Sequence, residues 1–312
     1  MVSGSVFTPQ GPAPKGGWPV IALGHGTTGI NEPCAPSGSA SLLGLVDGVV
    51  GCVKLGYAVA LPDYQGLGSP GVHPYTDART AGLNMIDSVR ALRRTFGDIS
   101  DRWAAVGGSQ GGAAAWAADE QAGTYAPELH LVGAVAYVPA ADVSGVVDKA
   151  QAGTMTTDKQ MIYEMVVESL ARLHNDIKRD DFHRGAAANY WDELTACSGA
   201  KVSDRPAAAQ TLQPGDLAPS TRAAAERLRD LLEAWALPQQ RLSAPLSVAF
   251  GGKDSFIDAQ WTADAISRAC ALGGTVVWDL QPDKGHGDVD IESQLVWLAD
   301  RFAGKAATND CP

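Results

Sequence analysis

No run of eighteen or more apolar residues occurs in the chain, so nothing in it reads as a membrane-spanning helix. No Cys-x-x-Cys pair occurs either. The cysteines, Cys34, Cys52, Cys197, Cys270 and Cys311, are widely scattered, which argues against zinc or thioredoxin-like chemistry. Positive charge is scarce: 24 Lys and Arg stand against 35 Asp and Glu, a net charge of −11. That balance repels nucleic-acid phosphates and opposes tight adsorption to anionic lipid. No internal repeat is evident. The opening Met1-Val2-Ser3-Gly4 carries neither a charged leader nor an apolar signal core, which leaves a cytosolic protein or a secreted one whose leader has been removed.

An odd number of cysteines leaves one thiol over. Cys52 lies in an apolar helical stretch and is expected to be the free one. Cys311, one residue from the end, is a poor position for an inert core thiol, and a bridge to Cys270 would tie down the tail. That leaves Cys34 with Cys197, with other pairings still open.

What is present is enough apolar material, 45% of 312 residues, for one large α/β domain with an insertion or for two modest domains. The chain turns on Val106-Gly107-Gly108-Ser109-Gln110-Gly111-Gly112, with an apolar run before it and an alanine-rich helical stretch after it. This reads as a nucleophile elbow. A serine on a tight strand-to-helix turn is forced into strained backbone angles, and Gly107 and Gly111 supply the small neighbours that the turn needs. The motif is short enough to arise by chance as a chemically idle turn, so the flanking strand (102–106) and helix (112–119) carry the reading.

Residues 18–23 form an apolar run that empties into Gly24-His25-Gly26-Thr27-Thr28-Gly29. Helical spacing follows over 42–55, a strand over 57–61, a long helix over 77–96 with arginines at its C-terminal end, and a strand over 131–138. The alternation predicts a mostly parallel sheet covered by helices on both faces, with ligands at the carboxyl ends of the strands. Between residues 140 and 243 strand-like runs disappear and helical character takes over. We read this as an inserted helical cap on a core made of 1–139 and 244–312. Within it, 158–174 and 221–235 are the clearest helices, and the methionines of the first suit either core packing or an acyl pocket. The sheet resumes over 246–250, followed by a helix over 261–270, a strand over 275–280 and a helix over 289–302.

A serine hydroxyl needs a base within reach and a third group to orient that base. His286, in a glycine-flanked loop after the last strand, has the expected late position for the base. Asp254, just past the preceding strand, is the expected acid, with Asp258 as its rival. The backbone N–H groups of Gln110 and Thr27 are the expected oxyanion donors. Thr28 and Tyr64 are candidate substrate contacts, Tyr64 equally suited to plain packing, and His25 is expected to hold its loop by hydrogen bonds. No metal or cofactor is implied.

Taken together, the Gly24–Gly29 loop, Cys34-Ala35-Pro36-Ser37, Asp63-Tyr64-Gln65-Gly66-Leu67-Gly68, the elbow, Gly-x-x-Asp and Gly-His-Gly resemble the secretory lipase family. The resemblance implies an α/β-hydrolase fold, carboxylic ester hydrolysis through an acyl-serine, export to an oxidising compartment, a disulfide at Cys34 and a helical cap over an acyl site. Small-molecule or lipid esters are then the expected substrates. Against that family the chain is expected to lack the first strands, and its cap has no recognisable counterpart. A serine peptidase or acyltransferase on the same fold, or a non-catalytic binding protein, are the competing readings.

Overall fold

The computed structural model of the protein describes residues 1–312. Its strands are β1 (Gly4–Phe7), β2 (Trp18–Gly24), β3 (Ala58–Pro62), β4 (Ile99–Gly108), β5 (His130–Tyr137), β6 (Leu246–Gly251) and β7 (Val276–Gln281). Its helices are α1 (Val46–Lys54), α2 (Ala78–Thr95), α3 (Gln110–Tyr125), α4 (Val146–Ala152), α5 (Thr157–Leu173), α6 (Gly185–Asn189), α7 (Trp191–Leu194), α8 (Ala200–Thr211), α9 (Arg222–Trp235), α10 (Ala259–Ala271) and α11 (Glu292–Phe302). The strands make one sheet in the order β1-β3-β2-β4-β5-β6-β7, parallel throughout except for β1 against β3. Strands β3 and β6 are buried at every position, the reason they read as unbroken apolar runs rather than alternating ones.

Helix α3 behaves unlike a surface helix, because every residue from Gln110 to Ala122 is buried. Its alanines keep it narrow enough to fit between the sheet and α2. The approach is so close that a Cβ on Gly82 of α2 would stand 2.6 Å from the backbone nitrogen of Ala118. Helix α2 starts where Asp77 accepts the Thr80 N–H at 3.2 Å, a cap contributing about 1 kcal/mol.

The structure differs from the sequence reading in two places. The stretch 42–55 is not one helix: Leu43 has φ 53° and Gly44 φ 94°, which separates a single turn at 42–44 from α1. The strand β1 has no counterpart in the sequence reading, because its four residues are too few to show a period of two.

Between β5 and β6 there are helices and turns and no strand. This segment shares one apolar core with the sheet: Tyr163, Met165, Val166 and Leu228 belong to the same buried cluster as Val20, Trp103 and Val248. It is also tied down along its length. Thr156 and Lys159 donate to the Ser255 carbonyl at 2.6 and 2.8 Å, and Lys159 and Lys149 hold Asp258 at 2.8 and 2.9 Å. Ser169 donates to the His73 carbonyl at 2.6 Å and accepts the Tyr75 N–H at 3.0 Å. A disulfide joins Cys34 to Cys197, and a second joins Cys270 to Cys311; Cys52 is free.

Candidate active site

Strand β4 lies in the middle of the sheet and delivers Ser109 at its carboxyl end. Ser109 has φ 57° and ψ −120°, a conformation that costs an L-residue roughly 1–3 kcal/mol. The surroundings hold it there. The Ser109 N–H donates to the Tyr137 carbonyl at 3.0 Å, and its own carbonyl accepts from Ala113 and Ala140 at 3.1 and 3.0 Å. A Cβ at Gly107 would overlap the Gly111 carbonyl, and one at Gly111 would overlap the Gly24 carbonyl, so both glycines are required by close backbone approach.

The ends of β6 and β7 bring the partners. Beyond β6 and β7 the chains are laced together, Gly252 N–H to the Gln281 carbonyl and Lys253 N–H to the Lys284 carbonyl, each at 2.9 Å. This places His286 Nδ1 2.7 Å from Asp254 Oδ2. The other oxygen, Asp254 Oδ1, accepts the N–H groups of Phe256 and Ile257 at 2.8 and 2.9 Å, which fixes the carboxylate. The Asp254 side chain is 2% exposed and that of His286 16%. Asp258 has another occupation, between Lys149 and Lys159, whose charges hold it below the usual carboxylate range against the cost of its own burial.

Ser109 and His286 line one cavity of about 320 Å³ with Thr27, Thr28 and Tyr75. Its apolar wall is Met161, Ile162 and Met165 of α5 together with Phe256, whose ring lies 4.7 Å from that of His286. The backbone N–H of Thr27 has no acceptor in the protein, and that of Gln110 opens α3, where the first N–H groups have no intrahelical acceptor. The start of α3, with the positive end of its dipole, therefore borders Ser109, and Thr27 lines the same cavity. Gly26 packs against it, with an added Cβ standing 3.8 Å from the Ser109 Cβ.

A layer of hydrogen bonds backs Thr27 and Gln110. The Thr27 hydroxyl bonds the Tyr75 hydroxyl at 2.8 Å, and burial pushes the Tyr75 phenol up to about 12. His73, which does not fit the chain order of a base, turns out to touch the elbow. Its Nδ1–H donates to the Gln65 carbonyl at 2.8 Å, so Nε2 carries the lone pair and accepts from the Gln110 side-chain amide at 2.8 Å. Burial pushes His73 down to about 4 and keeps the ring neutral.

Tyr64 is a correction. It is 1% exposed, does not line the cavity, donates to the His25 carbonyl at 3.2 Å and stacks on the His25 ring at 4.2 Å. It packs beneath the site rather than against a substrate. His25 is buried, its pKa lowered by burial; Nδ1 lies 2.7 Å from the Gly26 carbonyl and Nε2 3.2 Å from that of Asp63. Asp63 Oδ1 accepts the Ser37 N–H at 2.8 Å, fastening the loop that holds Cys34.

A serine held on a strained strand-to-helix turn at the centre of a mostly parallel sheet, with histidine and aspartate presented from the following strand ends, defines an α/β-hydrolase. The chain belongs to the secretory lipase family, whose model matches residues 46–310. It is 26% identical over 285 residues to Lipase 6 of Candida albicans, a match taking in 84% of this chain and 59% of that protein, so the chain spans about three-fifths of its relative's length. Candida antarctica lipase A in its closed state superposes with a TM-score of 0.77 at 17% identity, covering 99% of this chain and 75% of that one. LipA from Xanthomonas oryzae, described as a rice cell wall degrading esterase, superposes with a TM-score of 0.69 at 17% identity, covering 97% and 83%. At these identities the solved structures establish a shared fold. No helix of the protein is long and apolar enough to cross a membrane.

Proposed function

We propose that the protein is a serine carboxylic ester hydrolase. The observation that carries the reading is the meeting of Ser109 and His286 in one cavity, with His286 held by a buried Asp254. Ser109 Oγ attacks the ester carbonyl as His286 Nε2 takes its proton, and the alcohol leaves with that proton. Water, deprotonated by the same nitrogen, then cleaves the acyl-serine to release the acid. Asp254 fixes the imidazole and stabilises its charged form. The Gln110 and Thr27 N–H groups receive the oxyanion. Thr28 contacts the substrate, and residues 140–243 act as the cap. Membership of the secretory lipase family supports ester substrates, and that membership with two disulfides supports work outside the cell.

The test is hydrolysis of p-nitrophenyl esters from acetate to palmitate by the protein and by Ser109→Ala, with a fluorophosphonate probe read by mass. Turnover and a mass shift on Ser109, both absent from the variant, are expected. A folded protein that neither turns over nor labels is not a serine hydrolase.

A further inference from the structure

Apart from the His286 imidazole, the cavity wall is apolar except for its hydroxyls and one cation. Arg205, from α8, enters it among Met161, Ile162 and Met165. Its hydrogen bonding is poor: Nη1 reaches the Ala196 carbonyl at 3.4 Å, and Nη2 is buried with no partner. No carboxylate oxygen lies within 4.0 Å of the guanidinium, whereas Arg172 and Arg179 in the same cap share Glu168 at 2.8 and 2.5 Å. The acidic side chain whose field reaches Arg205 is Glu164 of α5, 2% exposed and with Oε1 unpartnered. Burial pushes Glu164 up to about 8, which weakens the compensation it offers the cation near neutral pH. A guanidinium does not escape by losing its proton. A half-buried, unpaired cation is costly, and an incoming carboxylate offers the planar two-oxygen partner that the fork of N–H groups fits. Arg205 lines the same cavity as Tyr75, whose hydroxyl bonds that of Thr27.

Resting on the ester hydrolase reading, we propose that Arg205 is a specificity residue that binds a free carboxylate on the substrate, so that the enzyme prefers half-esters of dicarboxylic acids to neutral esters of the same length. The methionines and Ile162 contact the methylene spacer, Arg205 takes the distal carboxylate, and the ester carbonyl sits at Ser109. The chemistry at Ser109 is unchanged, and the products are the alcohol and the free dicarboxylate.

The experiment compares mono-p-nitrophenyl adipate and suberate with straight-chain alkanoyl esters of equal length, for the protein, Arg205→Gln and Arg205→Lys, with melting curves as a check on folding. The expected preference for the half-ester is about 10- to 100-fold in kcat/KM, the worth of one or two charge-assisted hydrogen bonds, and lies mainly in KM. Arg205→Gln removes the preference and Arg205→Lys retains part of it. Equal rates on charged and neutral esters, or a preference that survives in Arg205→Gln, overturn the inference while leaving the hydrolase reading intact. If neither series is hydrolysed, the hydrolase reading fails on its own. Calorimetric binding of adipate to Ser109→Ala, with and without Arg205→Gln, then decides the role of Arg205. Binding lost with the arginine supports it, and binding that is absent or indifferent to the arginine overturns it.

Discussion

Gln110 faces two ways: its backbone N–H opens α3 beside Ser109, while its side-chain amide donates to Nε2 of His73 at 2.8 Å. The tautomer that permits this is set one bond further out, where His73 Nδ1–H is claimed by the Gln65 carbonyl. The start of α3 beside Ser109 is thus steadied by the loop that follows β3.

Replacing His73 by Asn should withdraw that support without touching the reacting atoms. A drop in kcat of about tenfold is expected, with KM nearly unchanged, since small displacements of a donor are costly in the transition state. Steady-state kinetics on a neutral ester checks it, and an unaltered kcat would refute the positioning role.

Asp254→Asn should lower kcat by roughly 10³–10⁴, because the imidazole loses both its tautomer and its charge stabilisation. Asp258→Asn should leave kcat within about threefold and instead lower stability by about 1–3 kcal/mol, as Lys149 and the buried Lys159 lose their partner. The pair of variants, measured by kinetics and urea unfolding, separates the two aspartates.

Ser109→Gly should be more stable than Ser109→Ala by about 1 kcal/mol, because φ 57° with ψ −120° is accessible to glycine alone without strain. Both should be inactive. Equal melting temperatures would show that the elbow stores no strain.

Stability should fall between mildly acidic and alkaline pH. Asp119 is pushed up to about 8 and Glu120 to about 7, in both cases chiefly by burial, although Asp119 accepts from Ser243 and Ala244 and Glu120 from Gln239 and Gln240. A carboxyl with a raised folded-state pKa contributes stability that is fully present below its unfolded value near 4 and is lost as pH rises through 7 and 8. Asp119→Asn keeps the acceptor for both N–H groups and avoids the charge, so it should gain roughly 1–3 kcal/mol at pH 9 and little at pH 5. Thermal melts across that range are the measurement.

Removing Cys34–Cys197 by double alanine substitution should cost about 1 kcal/mol more than removing Cys270–Cys311, because the closed segments span 163 and 41 residues. Each loss should fall within about 2–5 kcal/mol, read by urea unfolding.

Much of the fold was legible in the sequence because its signals are local. The central strands are apolar runs, β2, β4 and β6 ending in glycine, and α2 announces itself through a clear helical stripe and the arginines at its C-terminal end. The short β1 had no such period and owes its existence to pairing with β3. Within the candidate site, chain order and loop position sufficed to bring forward Ser109, Asp254 and His286. His73 and Arg205 were not legible, since each matters through a neighbour more than thirty residues away or through a cavity built by other helices. Tyr64 misled for a related reason: its place after a strand end suggested the mouth of the site, but its φ of 71° and its bond to the His25 carbonyl turn it inward.

The sheet order separates the parts of the site by their distance from a margin. Ser109 hangs from the central strand, whereas His286 follows the outermost strand β7 and Asp254 the one beside it. Beyond β7 there is only the C-terminal tail, with Asp310 donating to the Val276 carbonyl at 2.8 Å and Cys311 bonded to Cys270. The strand order therefore sets Asp254 and His286 at the margin of the sheet and Ser109 in its interior. Fraying that began at that hem would part Asp254 from His286 before it reached the strand that carries Ser109.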